Sequence, residues 1–289
     1  MTAAGADPRK PRDDEIDVYG VTHVGKVRKT NQDHFLLASI HKRIVLHQTS
    51  LSDQQRLPFG DERLGIIGMV ADGVGGGEGG EKASATTLEI ATRYLVGSAD
   101  CFYRADATEE QFMQALQDAA LRSHAAVLER AKTEPQTRSM ATTLTLGMWV
   151  WPWYYILQVG DSRYYLYRDG QLTQVSRDQT IAQDLVDQGL FSRAVGQRSR
   201  FANVLSSAIG GEHTEPVITR LRSDWHLVHL LCSDGLTKHV PDERIAERLA
   251  AMTSSRQVCE QLLQDALDGG GTDNVTILVG RSVPKEQPA

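Results

Sequence analysis

An α+β fold, with strands and helices segregated, is predicted by three features of the element order. Two helical patterns, Glu81 to Val96 and Thr108 to about Ala131, follow two or three strands in succession instead of alternating with them. A close-set run of strand patterns from Met140 to Val175 reads as an antiparallel meander. A second helix pair, Pro241 to Met252 and Ser255 to Leu267, then precedes one last strand.

Each element has its own local cause. Met1 to Glu15 is charged and Pro-containing, and we expect a disordered leader. Val18 to Val24 reads as the first strand, Gly25 to Thr30 as a polar, basic loop, and Asn31-Gln32-Asp33 as the approach to a strand over His34 to Ile40. His47 to Arg63 is polar, with Pro58 and Gly60, and reads as a long hairpin loop. Ile66, Ile67, Met69 and Val70 form a buried strand that ends in Asp72, followed by five glycines among the seven residues Gly73 to Gly79. Such a turn exposes backbone carbonyls and amides at close range, or serves only as a tight strand-to-helix connection.

Ala83, Thr87, Ile90 and Ala91 have helical spacing, and Thr108 with Gln111 makes a capping box for the next helix. Thr142 to Val150 and Tyr154 to Val159 flank a turn at Pro152; Tyr164 to Arg168 and Gln171 to Val175 flank the hairpin signal Asp169-Gly170. Thr180 to Gln188, stopped by Gly189, is a short helix. Phe191 to Gly211 is polar, with Arg193, Arg198 and Arg200, and reads as a flap or as an ordinary surface excursion. Leu227 to Cys232 is an apolar strand. Gly269-Gly270-Gly271 stops the last helix, Val275 to Val279 is the final strand, and Ser282 to Ala289 is expected to be a free tail.

Composition narrows the function classes. The 289 residues are 40% hydrophobic, ample for a sizeable core, and carry a net charge of −6, which gives no electrostatic footprint for nucleic acid or an anionic membrane. No apolar stretch of about 18 residues is present, and the first residues are polar, unlike a signal peptide. Three scattered cysteines, Cys101, Cys232 and Cys259, fit a reducing cytoplasm.

The chemistry concentrates in aspartates at strand ends. Asp72 leaves one strand, Asp234 follows Leu227 to Cys232, Asp273 opens the last strand, Asp161 closes Tyr154 to Val159, and Asp33 sits beside the early strands. If these five converge they need cations, because buried carboxylates are costly unpaired. Hard oxygen donors without a Cys or His cluster suit Mg²⁺ or Mn²⁺ better than Zn²⁺. Arg28 is either a bidentate phosphate grip or a solvated loop arginine.

Rival chemistries fail on context. Gly75-x-Gly77-x-x-Gly80 matches a dinucleotide fingerprint, but Asp72 stands where pyrophosphate would approach and no second parallel strand ends in an acid. No cysteine is followed five residues later by arginine, and no Gly-x-Ser-x-Gly elbow is present. The Trp and Tyr cluster around Trp149 to Tyr155 lacks interleaved basic residues and reads as core and sheet surface.

Arg28 with Asn31-Gln32-Asp33, Asp72-Gly73-Val74-Gly75-Gly76, Gly160-Asp161-Ser162-Arg163, Ser233-Asp234-Gly235 and Thr272-Asp273-Asn274, in that order, resemble the motif series of the metal-dependent serine/threonine protein phosphatases of type 2C. The resemblance runs from about Val18 to Val279. It implies an antiparallel β-sandwich flanked by helix pairs, a four-layer αββα arrangement with a two-metal site at one end of the sandwich. Residues 16–281 would be the catalytic domain.

It also implies roles. Asp72 would bridge two divalent cations, Mn²⁺ or Mg²⁺, the carbonyl of Gly73 would add an oxygen, and Asp33, Asp234 and Asp273 would complete the shells. Arg28 would hold the substrate phosphate, and Asp161 with Asp234 would match a third, weaker metal site used by some relatives. Arg198, Arg200 and Asn203 of the flap would touch substrate. The activity implied is hydrolysis of phosphoserine and phosphothreonine in proteins by a metal-bridging hydroxide, reversing a serine/threonine kinase, with phosphorylated proteins (a kinase among them) as partners. A cytoplasmic monomer with no nucleic acid or membrane partner is expected. The alternatives are a regulatory phosphatase acting in an anti-sigma antagonist switch, or a catalytically weak phosphoprotein-binding module on the same fold. One departure matters: Val74 stands where some eukaryotic relatives carry a histidine thought to protonate the leaving group.

Overall fold

Side chains alternate between two buried faces in the central strands, and that alternation dictates a layered molecule. The structure, a computed structural model, describes residues 9–43, 48, 61–75, 78–98, 108–133 and 140–285. One antiparallel sheet runs in the order β1 (Ile16–His23), β12 (Val275–Ser282), β11 (Val228–Cys232), β8 (Arg163–Arg168), β9 (Gln171–Gln174). The other runs β10 (Val217–Arg222), β7 (Trp153–Val159), β6 (Leu144–Val150), β3 (Glu62–Ala71), β2 (His34–Lys42). A two-residue pair, β4 (Gly73–Val74) with β5 (Ala141–Thr142), lies beyond the end of β3.

Val70, Tyr154 and Ile156 meet Tyr164, Leu231 and Leu278 between the two sheets. Their sequence neighbours turn outward: Ile67, Met69, Leu146, Met148 and Leu157 pack under α1 (Gly79–Gly97) and α2 (Glu109–Thr133). On the other side Leu230, Cys232, Ile277 and Val279 pack under α6 (Asp242–Ala250) and α7 (Ser255–Asp268). Both faces of both sheets are therefore apolar, each fully buried large side chain contributing about 1.5–3 kcal/mol. The result is the expected four-layer αββα sandwich.

Local signals act where they were read. The Thr108 N–H donates to Gln111 Oε1 at 3.2 Å and the Gln111 N–H to Thr108 Oγ1 at 3.3 Å, closing the capping box at the start of α2. Asp169 and Gly170 take φ of 50° and 85°, the left-handed pair that a two-residue hairpin turn requires. Thr180 Oγ1 accepts from the Gln183 N–H at the start of α3 (Ile181–Asp187).

Four expectations are corrected. The disordered leader does not extend through residues 9–15: Arg9 donates two hydrogen bonds of 2.7 Å to the Glu15 carboxylate, which is 1% exposed. The Val283 N–H bonds the Glu15 carbonyl at 2.7 Å and the Lys285 N–H bonds Glu15 Oε1 at 3.2 Å, so one buried carboxylate ties the two chain ends and residues 283–285 are not free. The second sheet has an edge strand, β10, that the sequence did not announce, because Val217 to Arg222 mixes three apolar residues with Thr219, Arg220 and Arg222 and an edge strand needs no continuous apolar run. Asp234 does not simply follow a strand but opens a one-turn helix, α5 (Asp234–Thr237). The insertion read at His47 to Arg63 lies outside the described residues except at 48 and 61–63, as do Cys101, Gly76 and Gly77.

Candidate active site

Antiparallel register brings the five aspartates to one end of the sandwich. His34 pairs with Ala71, so Asp33, just before β2, and Asp72, just after β3, share that end. Cys232 pairs with both Ile277 and Arg163, which places Asp234 beyond β11 with Asp273 before β12 and Asp161 before β8. His23 pairs with Val275, so the loop carrying Arg28 leaves β1 at the same place. No motif is near another in sequence. The sheet registers alone assemble them.

The backbone at Asp72 is clamped: its N–H donates to Thr143 Oγ1 at 3.0 Å, and its carbonyl accepts from the Thr143 N–H at 2.9 Å and Thr142 Oγ1 at 2.8 Å. Asp33, 3% exposed, accepts hydroxyl bonds on Oδ2 from Ser233 at 2.7 Å and Thr276 at 2.8 Å. Asp273 is forked by Arg28, whose Nε and Nη2 lie 2.7 and 3.0 Å from its two oxygens. Lys238 Nζ bridges Asp234 Oδ2 at 2.6 Å and Asp273 Oδ2 at 2.8 Å.

Proton affinities report the same convergence. Burial, then the charges of Asp33, Asp234, Asp161 and Asp273, push the Asp72 carboxyl well above the ordinary carboxylate range. Asp33 is pushed up to about 6 by burial, which with Asp234 and Asp273 outweighs its two hydroxyl bonds. Asp161 is pushed up to about 7 by burial and the charges of Asp234 and Asp178, with Lys238 opposing. Asp273 goes the other way, because the Arg28 and Lys238 bonds outweigh its burial.

Among the described residues no three Asp, Glu, His or Cys side chains close up into a ready coordination group; the carboxylates are spaced by Arg28, Lys238 and the two hydroxyls. The donor set nonetheless fits hard divalent cations. Asp33 Oδ1 and Asp234 Oδ1 are buried and have no hydrogen-bond partner among the described residues, a costly state for carboxylate oxygens and a suitable one for metal ligands.

A cleft of about 990 Å³ runs from Asp161 and Asp234 between the flap and α6. Of the three flap residues expected to touch substrate, Asn203 lines it and Arg198 and Arg200 do not. Both are exposed, and Arg200 lies over the Phe201 ring at 4.8 Å. From the short helix α4 (Arg193–Arg198) it is Arg193 and Gln197 that face the cleft. Lys238 escaped the sequence reading altogether; its one available signal was a lysine one helical turn after Asp234. Val74 is 44% exposed on β4, and His34 Nδ1 is 2.9 Å from Ser84 Oγ, turned towards α1.

The chain belongs to the protein phosphatase 2C family, whose sequence model matches residues 49–269. It is 34% identical over 240 residues to the serine/threonine protein phosphatase PstP of Mycobacterium tuberculosis, a match covering 82% of this chain and 45% of that protein. The chain thus spans less than half the length of that relative. With the serine/threonine phosphatase stp of Listeria innocua it shares 31% identity over 219 residues, 74% of this chain and 83% of that one. Among solved structures, the catalytic domain of PstP in complex with two manganese ions superposes with a TM-score of 0.70 at 28% identity, covering 93% of this chain and 99% of that domain.

Proposed function

We propose that residues 16–281 form a metal-dependent protein phosphatase that hydrolyses phosphoserine and phosphothreonine in proteins and so reverses a serine/threonine kinase. The observation that carries the reading is the convergence of five aspartates from five strand ends, two of them with buried oxygens that no described protein group satisfies. Its support is the family and the two manganese ions of the PstP domain.

Asp33, Asp72, Asp234 and Asp273, with the Gly73 carbonyl, are assigned to hold two divalent cations, Mn²⁺ or Mg²⁺. When bound, such ions supply positive charge at the phosphate and lower the pKa of a water. The protein's own part is positional. The Thr142 and Thr143 clamp fixes Asp72, the Ser233 and Thr276 hydroxyls fix one oxygen of Asp33 and leave the other to a ligand, and Arg28 presents a fork that already fits two oxygens on one centre. A substrate phosphate would compete with Asp273 for that fork. Asn203, Arg193 and Gln197 are assigned to the peptide flanking the phosphorylated residue. Among the described residues no helix is long and apolar enough to cross a membrane, and the reading adopted is of a monomer acting in the cytoplasm on phosphorylated proteins, a kinase among them.

The test is phosphate release from a phosphothreonine peptide with Mn²⁺ present. Release is expected, with loss on EDTA treatment and recovery when Mn²⁺ is restored. Full turnover after exhaustive EDTA treatment would overturn the reading.

Arg28→Ala is expected to raise KM for a phosphopeptide by roughly 10- to 100-fold, the loss of about 1.5–3 kcal/mol of charge-assisted hydrogen bonding, while Mn²⁺ binding persists. Unchanged KM and kcat on both a phosphopeptide and a small aryl phosphate would remove this arginine from the phosphate site.

A further inference from the structure

We infer, resting on the phosphatase reading above, that Gln179 is a positioning residue for peptide substrates. It sets where the flap stands over the cleft by clasping the two limbs of the flap to the backbone beside Asp161.

The clasp uses all four polar atoms of one buried residue, which is 6% exposed. On one side the Gln179 N–H donates to the Gly160 carbonyl at 3.0 Å, and the Gly160 N–H donates to Gln179 Oε1 at 2.7 Å. On the other side the Gln179 carbonyl accepts from the Ser206 N–H at 2.9 Å, and Nε2 donates to the Glu215 carbonyl at 2.8 Å. Gln179 stands just before α3, through which the chain enters the flap, and Ser206 to Glu215 is the limb by which it returns. The Ile181 N–H, bonded to the Val204 carbonyl at 2.8 Å, continues the join between the two limbs. Gly160 immediately precedes Asp161, at the end of the cleft.

Two neighbouring supports confine the effect to the flap. The loop of Asp161 is also held by Gln158, whose Nε2 donates to the Gly160 carbonyl at 2.9 Å and to the Ser162 carbonyl at 2.7 Å. Further along the returning limb, Ile209 and Thr142 exchange two backbone bonds of 2.9 Å, which fasten the limb to β5. Loss of the Gln179 side chain therefore neither frees Asp161 nor detaches the flap. It unpins the limb at Glu215 and leaves a buried carbonyl without its donor, a cost that the limb relieves by shifting. Asn203 lines the cleft three residues before Ser206 and shifts with that limb. Arg28 and the central aspartates belong to neither limb, so the phosphate site itself keeps its geometry.

The test compares KM for a phosphothreonine peptide with KM for a small aryl phosphate, which carries no flanking residues for Asn203 and Arg193 to hold. Gln179→Met, similar in size but without the amide, is expected to raise KM for the peptide roughly 10-fold and KM for the aryl phosphate by less than about 2-fold. Gln179→Glu separates the two sides of the clasp. An ionised carboxylate there still accepts the Gly160 N–H but has no proton to give the Glu215 carbonyl, whereas the protonated acid copies the amide. Burial favours the protonated form, and so do two nearby carboxylates: Asp178, next in the chain and itself paired with Arg163 at 2.7 Å, and Asp161 beyond Gly160. The ratio of the Gln179→Glu peptide KM to that of wild type is therefore expected to lie near one at about pH 6 and to climb towards about pH 8.5, while the aryl phosphate ratio stays flat. Taking the ratio cancels the ionisation of the substrate phosphate. Equal changes on the two substrates would overturn the inference, and so would a folded Gln179→Met with the wild-type peptide KM. If Gln179→Met does not fold, the pH dependence of Gln179→Glu decides alone, and a flat peptide ratio overturns the inference. Wild type that releases no phosphate from the peptide would remove the phosphatase reading itself, and the inference with it.

Discussion

Asp72→Asn is expected to lose at least three orders of magnitude in kcat and its Mn²⁺ binding together, while becoming the more stable protein when metal is absent. The activity loss follows from its place: its carboxyl interacts with the other four aspartates, so it is the one side chain shared by the whole cluster. The stability gain follows from linkage. Burial and four neighbouring charges raise the folded pKa of Asp72 above its unfolded value, so the folded state holds the proton more tightly. Stability from this group is complete below the ordinary carboxylate pKa and is lost as pH rises through the folded value. Asparagine imitates the protonated acid at every pH, and the backbone clamp on Thr142 and Thr143 does not involve the side chain. Metal-free Asp72→Asn should therefore melt higher than metal-free wild type at pH 7.5, by several degrees at about 2–4 °C per kcal/mol, and equal to it near pH 4. Saturating Mn²⁺ should reverse the order at pH 7.5, since only wild type gains binding free energy. Parallel melting curves with and without Mn²⁺ would show that Asp72 is not a metal ligand.

What the sequence displayed was whatever local chemistry decides. The capping box of Thr108 and Gln111, the Asp169-Gly170 turn and the apolar runs of β3, β6, β7, β11 and β12 each carry their cause within a few residues. The aspartates were legible because a carboxylate at the end of an apolar strand is out of place unless it has work. What was hidden depends on contacts across the chain. Arg28 meets Asp273 from 245 residues away, so nothing near Arg28 announces a carboxylate partner. Lys238 reads as an ordinary lysine until β11 and β12 are side by side. Glu15 looked like part of a charged leader because its partners Arg9, Val283 and Lys285 stand at both ends of the chain. Arg198, Arg200 and Asn203 came from the resemblance of the flap to that of bacterial relatives, which does not say how the six-residue helix α4 is turned; of its residues, Arg193 and Gln197 line the cleft and Arg198 does not.

Gly235→Ala is expected to destabilise the protein by about 3 kcal/mol or more, roughly 6–12 °C in Tm, and to lose Mn²⁺ binding with it. The glycine is required by proximity, not by backbone angle: a Cβ there would lie 1.8 Å from the Asn274 carbonyl oxygen and 2.9 Å from its carbon. Neither side can yield cheaply. Gly235 belongs to α5, which Lys238 holds to Asp273, and the Asn274 side chain accepts the Gln32 N–H at 2.9 Å and donates to the Val24 and Thr30 carbonyls at 2.9 and 3.0 Å. One asparagine thus joins the loop that carries Arg28, the approach to Asp33 and the start of β12. Relief of the clash must push α5 away from that junction, and Asp234 moves with it relative to Asp33 and Asp273. Gly97→Ala is the matched control, because a Cβ at the end of α1 meets nothing within 4 Å, and it should change stability by no more than about 1 kcal/mol in either direction. A Gly235→Ala protein with wild-type Tm and two bound Mn²⁺ would show that this backbone contact does not set the spacing of the aspartates.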